Sequence, residues 1–469
     1  MSKLTDLEQR ILMKIKPKHE EYELLQITFG EISSVINTVL RQYGVEAEVT
    51  LQGSVAHDTW LSGDRDLDVF VLFPSDWTRD DLEKEGFPIL LEAAKKIGSY
   101  ELRYAEHPYV RVKIGDVEAD IVPGLKLLDP SKAKTAVDRT PFHTKYVNSK
   151  LTDELRDHVR LLKKYMKAIN VYGAEVKTRG FSGYAVELLI IVYGGFREVL
   201  SEVSRWKPPV FVNTLGENIT RDFIREFRKK YPDSCIYMPD PVDPMRNVTA
   251  SVSLRSLSSF IIASRCYLKN PDTLFFEEET ELNASSLYKS IIDRCIIIIA
   301  YNLREALPPD VVWGEALRVS STLARILGQF DVEVIDYSAW TNEKSLAVVA
   351  VELDKCELST YKHYKGPCII HDEDRVHNFV RKHAGKGFGP WITDDGCLNS
   401  LDRRVVLDVA TLIESRWLEY TVSPHLKTVK PIVTRLNTND IEWLIAQGAG
   451  RWIKNFVLKT PPWMEKCIS

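Results

Sequence analysis

The chain has 469 residues, 44% of them hydrophobic, and a formal net charge of -4. That length calls for two to four domains with ordinary cores, and the charge leaves any nucleic-acid binding to local basic surfaces. Seven cysteines, at 235, 266, 295, 356, 368, 397 and 467, include no CxxC pair, which argues against structural zinc and thioredoxin chemistry. An odd, dispersed set fits a reducing cytoplasm. The N-terminal MSKLTDLEQRILMKI is charged and amphipathic, without the apolar core of a signal peptide. The longest apolar runs, such as LLIIVYGGF and CIIIIAYNL, are too short to cross a bilayer.

Residues 5–43 carry apolar positions at helical spacing. VEAEVTLQG (45–53) alternates as a strand, GSVAHDTWL (53–61) reads as a turn into a short helix, and DLDVFVLF (66–73) is the next strand. Residues 76–98 read as a helix with Asp76 as N-cap and Gly98 as stop. Strands follow at 100–106, 109–115 and 117–124, the last two joined by a tight Gly115-Asp116 turn. A helix-flanked mixed sheet is thus expected to about residue 148. Amphipathic helices are expected at 151–173, 182–206 (with Ser182 as cap), 221–232 and 251–270. From about 276 helices and strands alternate, which argues an α+β region.

The most informative stretch is LQGSVAHDTWLSGDRDLDVFVLFP (51–74). Asp66 and Asp68 are two apart on one strand, so they project together while Leu67, Val69 and Val71 enter the core. Two adjacent acids repel, and a divalent metal is the usual reason to pair them. The competing reading is a solvated strand face; the apolar VFVLF that follows argues against it. The Gly53-Ser54 turn can offer backbone N–H groups and a hydroxyl to a triphosphate. Together these features point to nucleotidyl transfer. A third acid is expected within DVEADIVP (116–123). Asp116, Glu118 and Asp120 share one parity, so periodicity leaves the choice open, and position beside the apolar IVP end favours Asp120.

The pattern of Gly-Ser, spacer, Asp-Leu-Asp and a later strand acid resembles the DNA polymerase β-like nucleotidyltransferase superfamily. The strings RYAEHPYVRV, AVDRTPFHTKY, VYGAEVKTRGFSGYAVELLI and DPVDPMRNVTASVSL are similar to those of the archaeal-type (class I) CCA-adding enzymes, a family of tRNA nucleotidyltransferases. The resemblance runs strongly over 20–275 and more weakly over GPCIIHDEDRVHNFVRKHAGKGFGPWI (366–392). It implies an α+β multidomain chain: a polymerase β-like catalytic head (1–148), a helical second domain binding nucleotide and tRNA (149–275), and an α+β C-terminal RNA-binding body and tail (276–469). It further implies that Asp66, Asp68 and Asp120 are catalytic and hold two Mg²⁺. The substrates would be CTP and ATP, and the partner tRNA, held by its acceptor stem and T-arm. A cytoplasmic protein without a membrane anchor is expected, and a homodimer is compatible with the family.

The nucleotide-binding residues that the resemblance implies are Gly53, Ser54, His57, His143, Lys163, Tyr172 and Arg246. His57 departs from the pattern, because related enzymes commonly carry Arg there; a phosphate role for it would depend on its protonation. Lys163, Tyr172 and His143 would otherwise read as solvated or core-covering side chains. Arg246 follows a proline-containing turn, and its planar fork suits a phosphate or a base edge. The RGFSGY string (179–184) is expected to position the following helix, with Gly180 and Gly183 allowing close backbone approach. No GxxxxGK[ST] occurs, and the glycines at 385, 387 and 389 lack a dinucleotide context; they read as a tail or RNA-facing loop. The basic RDFIREFRKK and DRVHNFVRKHAGK, interleaved with aromatics, are candidate RNA-backbone contacts. Rival readings on the same head are a poly(A) polymerase or oligoadenylate synthetase, separated by CTP use and a three-nucleotide stop. A catalytically silent RNA-binding protein is the rival from another class.

Overall fold

Pro17 interrupts the expected 5–43 helix, because proline brings no N–H and clashes with the preceding turn. Two helices result, Asp6–Ile15 and His19–Gln42, the first closed by a Thr5–Glu8 capping box. The structure, a computed structural model, describes residues 3–104, 108–133, 135–216, 219–277, 284–368, 370 and 372–468. Ala105, Glu106 and His107 of the RYAEHPYVRV string, and Ile369 and His371 of the C-terminal string, lie outside the described residues. The chain divides into two compact units, 1–279 with 461–469, and 280–460.

The first unit begins with a five-stranded sheet of β1 (Glu48–Gln52), β2 (Asp66–Phe73), β3 (Ser99–Tyr104), β4 (Pro108–Ile114) and β5 (Val117–Leu125). The order is β1-β2-β5-β4-β3, with β2 and β5 parallel and the other pairs antiparallel. Leu67, Val69 and Val71 are buried as alternation requires, and Phe70 and Leu72 are buried too, so β2 is covered on both faces. Ile32 and Ile36 of the His19–Gln42 helix and Ile89, Leu90 and Ala93 of the Phe87–Ile97 helix join this core. The helical stretch after β2 is capped by Thr78, which exchanges hydrogen bonds with Asp81. Asp76 is therefore not its cap. A helix at Ala136–Lys150, with Pro141 in its interior, occupies a stretch to which the sequence assigns no element.

The second half of this unit is helical. The expected 182–206 helix is split into Gly183–Tyr193 and Phe196–Val203, with Gly194 left-handed at φ 86. These pack with Asp153–Ala168 and Leu254–Lys269 around Tyr165, Phe196, Phe260, Tyr267, Phe275 and Phe276. Trp463 is buried in the same core, Cys467 is bonded to Cys266, and Lys466 pairs with Asp272 at 2.8 Å. The segment 461–468 thus packs with the helical domain, which removes it from the body expected at 276–469. Two further disulfides, Cys295–Cys356 and Cys368–Cys397, leave Cys235 as the free thiol. The cysteine set that fits a reducing compartment on spacing alone is therefore paired in six of its seven members; spacing does not reveal which distant positions meet.

The second unit contains a four-stranded antiparallel sheet in the order Ile432–Arg435, Cys295–Asn302, Leu346–Leu353, Val334–Thr341. The Pro309–Leu327 helix covers one face, and Thr438–Ala446 with Gly450–Leu458 the other. A second sheet joins Tyr361–Cys368, Cys397–Arg403 and Gly387–Ile392, with the Glu373–His383 helix against it. The glycine-rich 385–389 run is thus the entry to an edge strand. Among the described residues no helix is long and apolar enough to cross a membrane.

Candidate active site

Strand register brings the acids together. β2 and β5 run parallel with Asp66 opposite Glu118 and Asp68 opposite Asp120. Burial, then the charges of Asp120 and Asp66, push the Asp68 carboxyl up to about 6. Burial, then Asp64, raise Asp66 as well. Asp116 stands apart in an exposed turn, paired with Arg65 at 2.8 Å, and Asp64 pairs with Lys167 at 3.0 Å. Asp66 and Asp68, both held above the ordinary carboxylate range by burial and by neighbouring acids, are of the type that suits a hard divalent cation, which takes oxygen ligands. Among the described residues no three His, Cys, Asp or Glu side chains stand arranged to hold a metal ion. Asp120 is instead gripped by Arg111, Nε to Oδ1 at 2.6 Å and Nη2 to Oδ2 at 2.8 Å. Arg111 lies opposite Asp120 on β4 and also reaches Glu118 at 3.4 Å.

The Gly-Ser turn is built against these acids. Gly53 has φ +66, and a Cβ on it would lie 2.0 Å from Asp68 Oδ2. Only glycine permits both that backbone and that approach. Ser54 is the second residue of a single helical turn over Gly53–Ala56, and its carbonyl accepts the Thr59 N–H at 2.9 Å.

His57 is placed otherwise than expected. It is 5% exposed, its Nδ1 is 3.0 Å from Glu187 and its Nε2 is 3.0 Å from Thr144 Oγ1. With both ring nitrogens engaged inside the protein, the phosphate-facing role is corrected to a buried strut between the Gly-Ser turn and the helical domain. His57→Ala is therefore expected to lower stability by about 1–3 kcal/mol through orphaned buried partners, with the nucleotide KM equal at pH 6 and 8. Thermal unfolding and steady-state kinetics check this, and a KM that climbs with pH in the native protein but not in the variant would restore the phosphate role.

Glu187 is the centre of that polar cluster. It accepts from Thr59 Oγ1 at 2.6 Å and lies 3.8 Å from Lys163 Nζ, which donates to Thr59 at 3.0 Å. Burial alone raises the Glu187 carboxyl, but His57, Lys163 and Thr59 bring it below its ordinary value. Burial lowers Lys163, against the pull of Glu187. Lys163 and Tyr172 meet over Gly183: a Cβ there would lie 3.9 Å from Lys163 Nζ and 3.0 Å from the Tyr172 hydroxyl. Gly180 is equally constrained, since its Cβ would lie 2.1 Å from the Val171 carbonyl. The RGFSGY string therefore folds back on VYG, with Phe181 donating to Val171 and Gly173 to Phe181, both at 2.8 Å.

One residue further, Tyr184 stacks on His143 at 4.1 Å. His143 Nε2 lies 2.8 Å from Asp240 Oδ2, which also accepts Arg246 Nη1 at 2.9 Å. Thr144, next to His143, donates to Gln52 Oε1 at 2.6 Å, and Gln52 pairs with Asp68 across β1 and β2. The structure thus joins His143 with Arg246, and Lys163 with Tyr172, at the start of the Gly183–Tyr193 helix. Sequence reasoning missed Arg111, Glu187 and Asp240. The one local signal was Glu187, a lone charge in the apolar run AVELLII.

Three family models match in chain order: "Nucleotidyltransferase domain" over 32–143, "tRNA nucleotidyltransferase, second domain" over 157–277, and "CCA-adding enzyme, C-terminal domain" over 293–430. The CCA-adding enzyme of Sulfurisphaera tokodaii is 36% identical, with 98% of this chain and 100% of that protein covered. Those of Saccharolobus islandicus and Saccharolobus solfataricus are 37% and 36% identical, again over 98% of this chain and 100% of theirs. Among solved structures, a Cid1 poly(U) polymerase is 16% identical with a TM-score of 0.45, covering 58% of this chain and 98% of that one.

Proposed function

Because this chain belongs to the CCA-adding enzyme family, we propose that the acids at the end of β2 and β5 carry out its chemistry. The enzyme adds C, C and A in turn to the 3′ end of tRNA from CTP and ATP, releasing pyrophosphate and using no nucleic-acid template. The observation that carries the site assignment is the register of Asp68 against Asp120, with the Asp68 carboxylate seated on the Gly53 turn. Asp66, Asp68 and Asp120 would hold two Mg²⁺, which when bound supply charge neutralisation and acidify the attacking hydroxyl. Arg111 fixes the orientation of Asp120 at the strand end. Gly53 and Ser54 would present the turn to the triphosphate, with Tyr172 and His143 on the far side; Lys163, 3% exposed and donating to Thr59, stands behind the turn as a buried brace, which corrects the triphosphate contact expected for it. The reacting groups must sit in line, and the rigid strands and turn provide that alignment.

The acceptor stem and T-arm of tRNA are the half the second unit would hold, and a cytoplasmic setting fits that substrate. Disulfides do not contradict it, since intracellular proteins of some hyperthermophiles are rich in them. The test is incubation with tRNA lacking its 3′ end, Mg²⁺ and labelled CTP and ATP, singly and together. Two C additions followed by one A, then a stop, are expected; a long A tail would replace this reading with that of a poly(A) polymerase.

Arg246 bears on nucleotide capture. Its side chain is one-third exposed, so the fork is held yet accessible. Losing a charge-assisted contact of about 1.5–3 kcal/mol predicts that Arg246→Ala raises the KM for CTP and ATP at least about tenfold, with tRNA affinity little altered. Unchanged nucleotide KM with weakened tRNA binding would move Arg246 to the RNA surface.

A further inference from the structure

Beside the proposed nucleotide site lies a buried carboxylate. Asp240 is 0% exposed, and both of its oxygens are saturated. Oδ1 accepts the Tyr184 hydroxyl at 3.0 Å and the Val242 N–H at 2.9 Å; Oδ2 faces His143 Nε2 at 2.8 Å and Arg246 Nη1 at 2.9 Å. These four partners come from three separate parts of the chain: the Ala136–Lys150 helix, the first turn of Gly183–Tyr193, and the DPVDPMR loop itself. The loop is closed by the same residue, since the Asp240 N–H donates to the Arg246 carbonyl at 3.0 Å and the Arg246 N–H to that of Asp243 at 2.8 Å.

We infer that Asp240 is the positioning residue of the nucleotide site, a buried carboxylate that fixes the Arg246 guanidinium and the His143 ring relative to each other for the incoming triphosphate or base. The inference rests on the site reading above and deepens it. A carboxylate that only folded the loop would need the Val242 and backbone contacts alone. Two of its four donors are instead the side chains assigned to the nucleotide. One Nη of Arg246 is consumed, which leaves the rest of the planar fork to a ligand. Nε2 of His143 is consumed, which leaves Nδ1. Tyr184 adds a hydroxyl to Asp240 and a ring face to His143, so three constraints meet on one imidazole. An arginine has many rotamers, and holding one in advance reduces the entropy lost when nucleotide binds.

The experiment compares Asp240→Asn, Arg246→Ala and the double variant of the full chain. It follows KM and kcat for CTP and ATP on tRNA ending at each step, with direct titration by a fluorescent CTP analogue. Asp240→Asn keeps the shape and removes the charge. It is expected to raise nucleotide KM at least about tenfold, as losing a charge-assisted contact does, with kcat within about threefold and tRNA affinity unchanged. The double variant should be no more than about threefold worse than the worse single one, because both substitutions remove one coupled unit. Additive losses, or a fall in kcat at constant KM, would overturn the inference. Should Asp240→Asn fail to fold by circular dichroism, Tyr184→Phe keeps the stack and removes one donor to Asp240; a two- to fivefold rise in nucleotide KM is expected, and no rise overturns the inference. The CTP titration separates the two readings: a native protein that binds CTP but adds no C to tRNA refutes the proposed reaction, while the variant series still tests Asp240.

Discussion

Asp120→Ala is expected to reduce nucleotide addition by at least about a thousandfold while tRNA binding survives. The carboxylate is one of three that would hold the cations which neutralise charge developing on the triphosphate, an effect of several kcal/mol, and each 1.36 kcal/mol is tenfold in rate. Its removal also strands Arg111, whose fork otherwise closes on both Asp120 oxygens. Glu118→Gln is the matched control: it stands two residues away, opposite Asp66, and activity should persist. Single-turnover addition of CTP to tRNA lacking its end, alongside a filter-binding measurement of tRNA, checks the pair. Near-normal activity in the Asp120 variant, or loss of activity in the Glu118 control, would move the third acid.

Asp68→Asn is expected to abolish addition and yet to stabilise the metal-free protein. The Asp68 carboxyl is raised from its ordinary 3.8 to about 6 by burial and by Asp120 and Asp66. A carboxyl raised in the folded state costs stability when ionised, so its penalty is absent below about pH 4, grows as pH rises, and is complete above about pH 6. Two pKa units correspond to about 2–3 kcal/mol, several degrees of unfolding temperature at this size. Thermal unfolding in EDTA at pH 4.5 and 7.5 reads it: the variant should gain on the native chain at 7.5 and little at 4.5. A destabilised variant at pH 7.5, or one whose advantage ignores pH, would mean that Asp68 is already relieved by a partner within the protein.

The sequence carried the head sheet well, because its strands alternate cleanly and the turn at Gly115-Asp116 is short. It carried Asp66 and Asp68 as a pair because strand parity is a local property. It left Asp116, Glu118 and Asp120 open for the same reason: parity is shared, and only β2–β5 register, a long-range property, sets Asp120 opposite Asp68. The Ala136–Lys150 helix went unassigned, its apolar spacing being weak and Pro141 lying inside it, and the Gly194-Gly195 break was hidden by the apolar run around it. His57 shows the limit of position-by-position resemblance. Its place after Ser54 suggested phosphate, but its ring is fixed by Glu187 and Thr144, which lie 130 and 87 residues away.

The return of 461–468 to the first unit makes the second unit, topologically, an insertion within the first. During synthesis the catalytic half emerges early but lacks Trp463 and the Cys467 partner of Cys266. At about 5–20 residues per second, the intervening 280–460 stretch takes roughly ten to forty seconds to make. For that interval the nascent helical core has a gap in its wall, and the disulfide cannot form with its native partner. Closure of the first unit's helical core is thereby tied to translation of 280–460, so a ribosome that stalls within that stretch leaves the core unsealed.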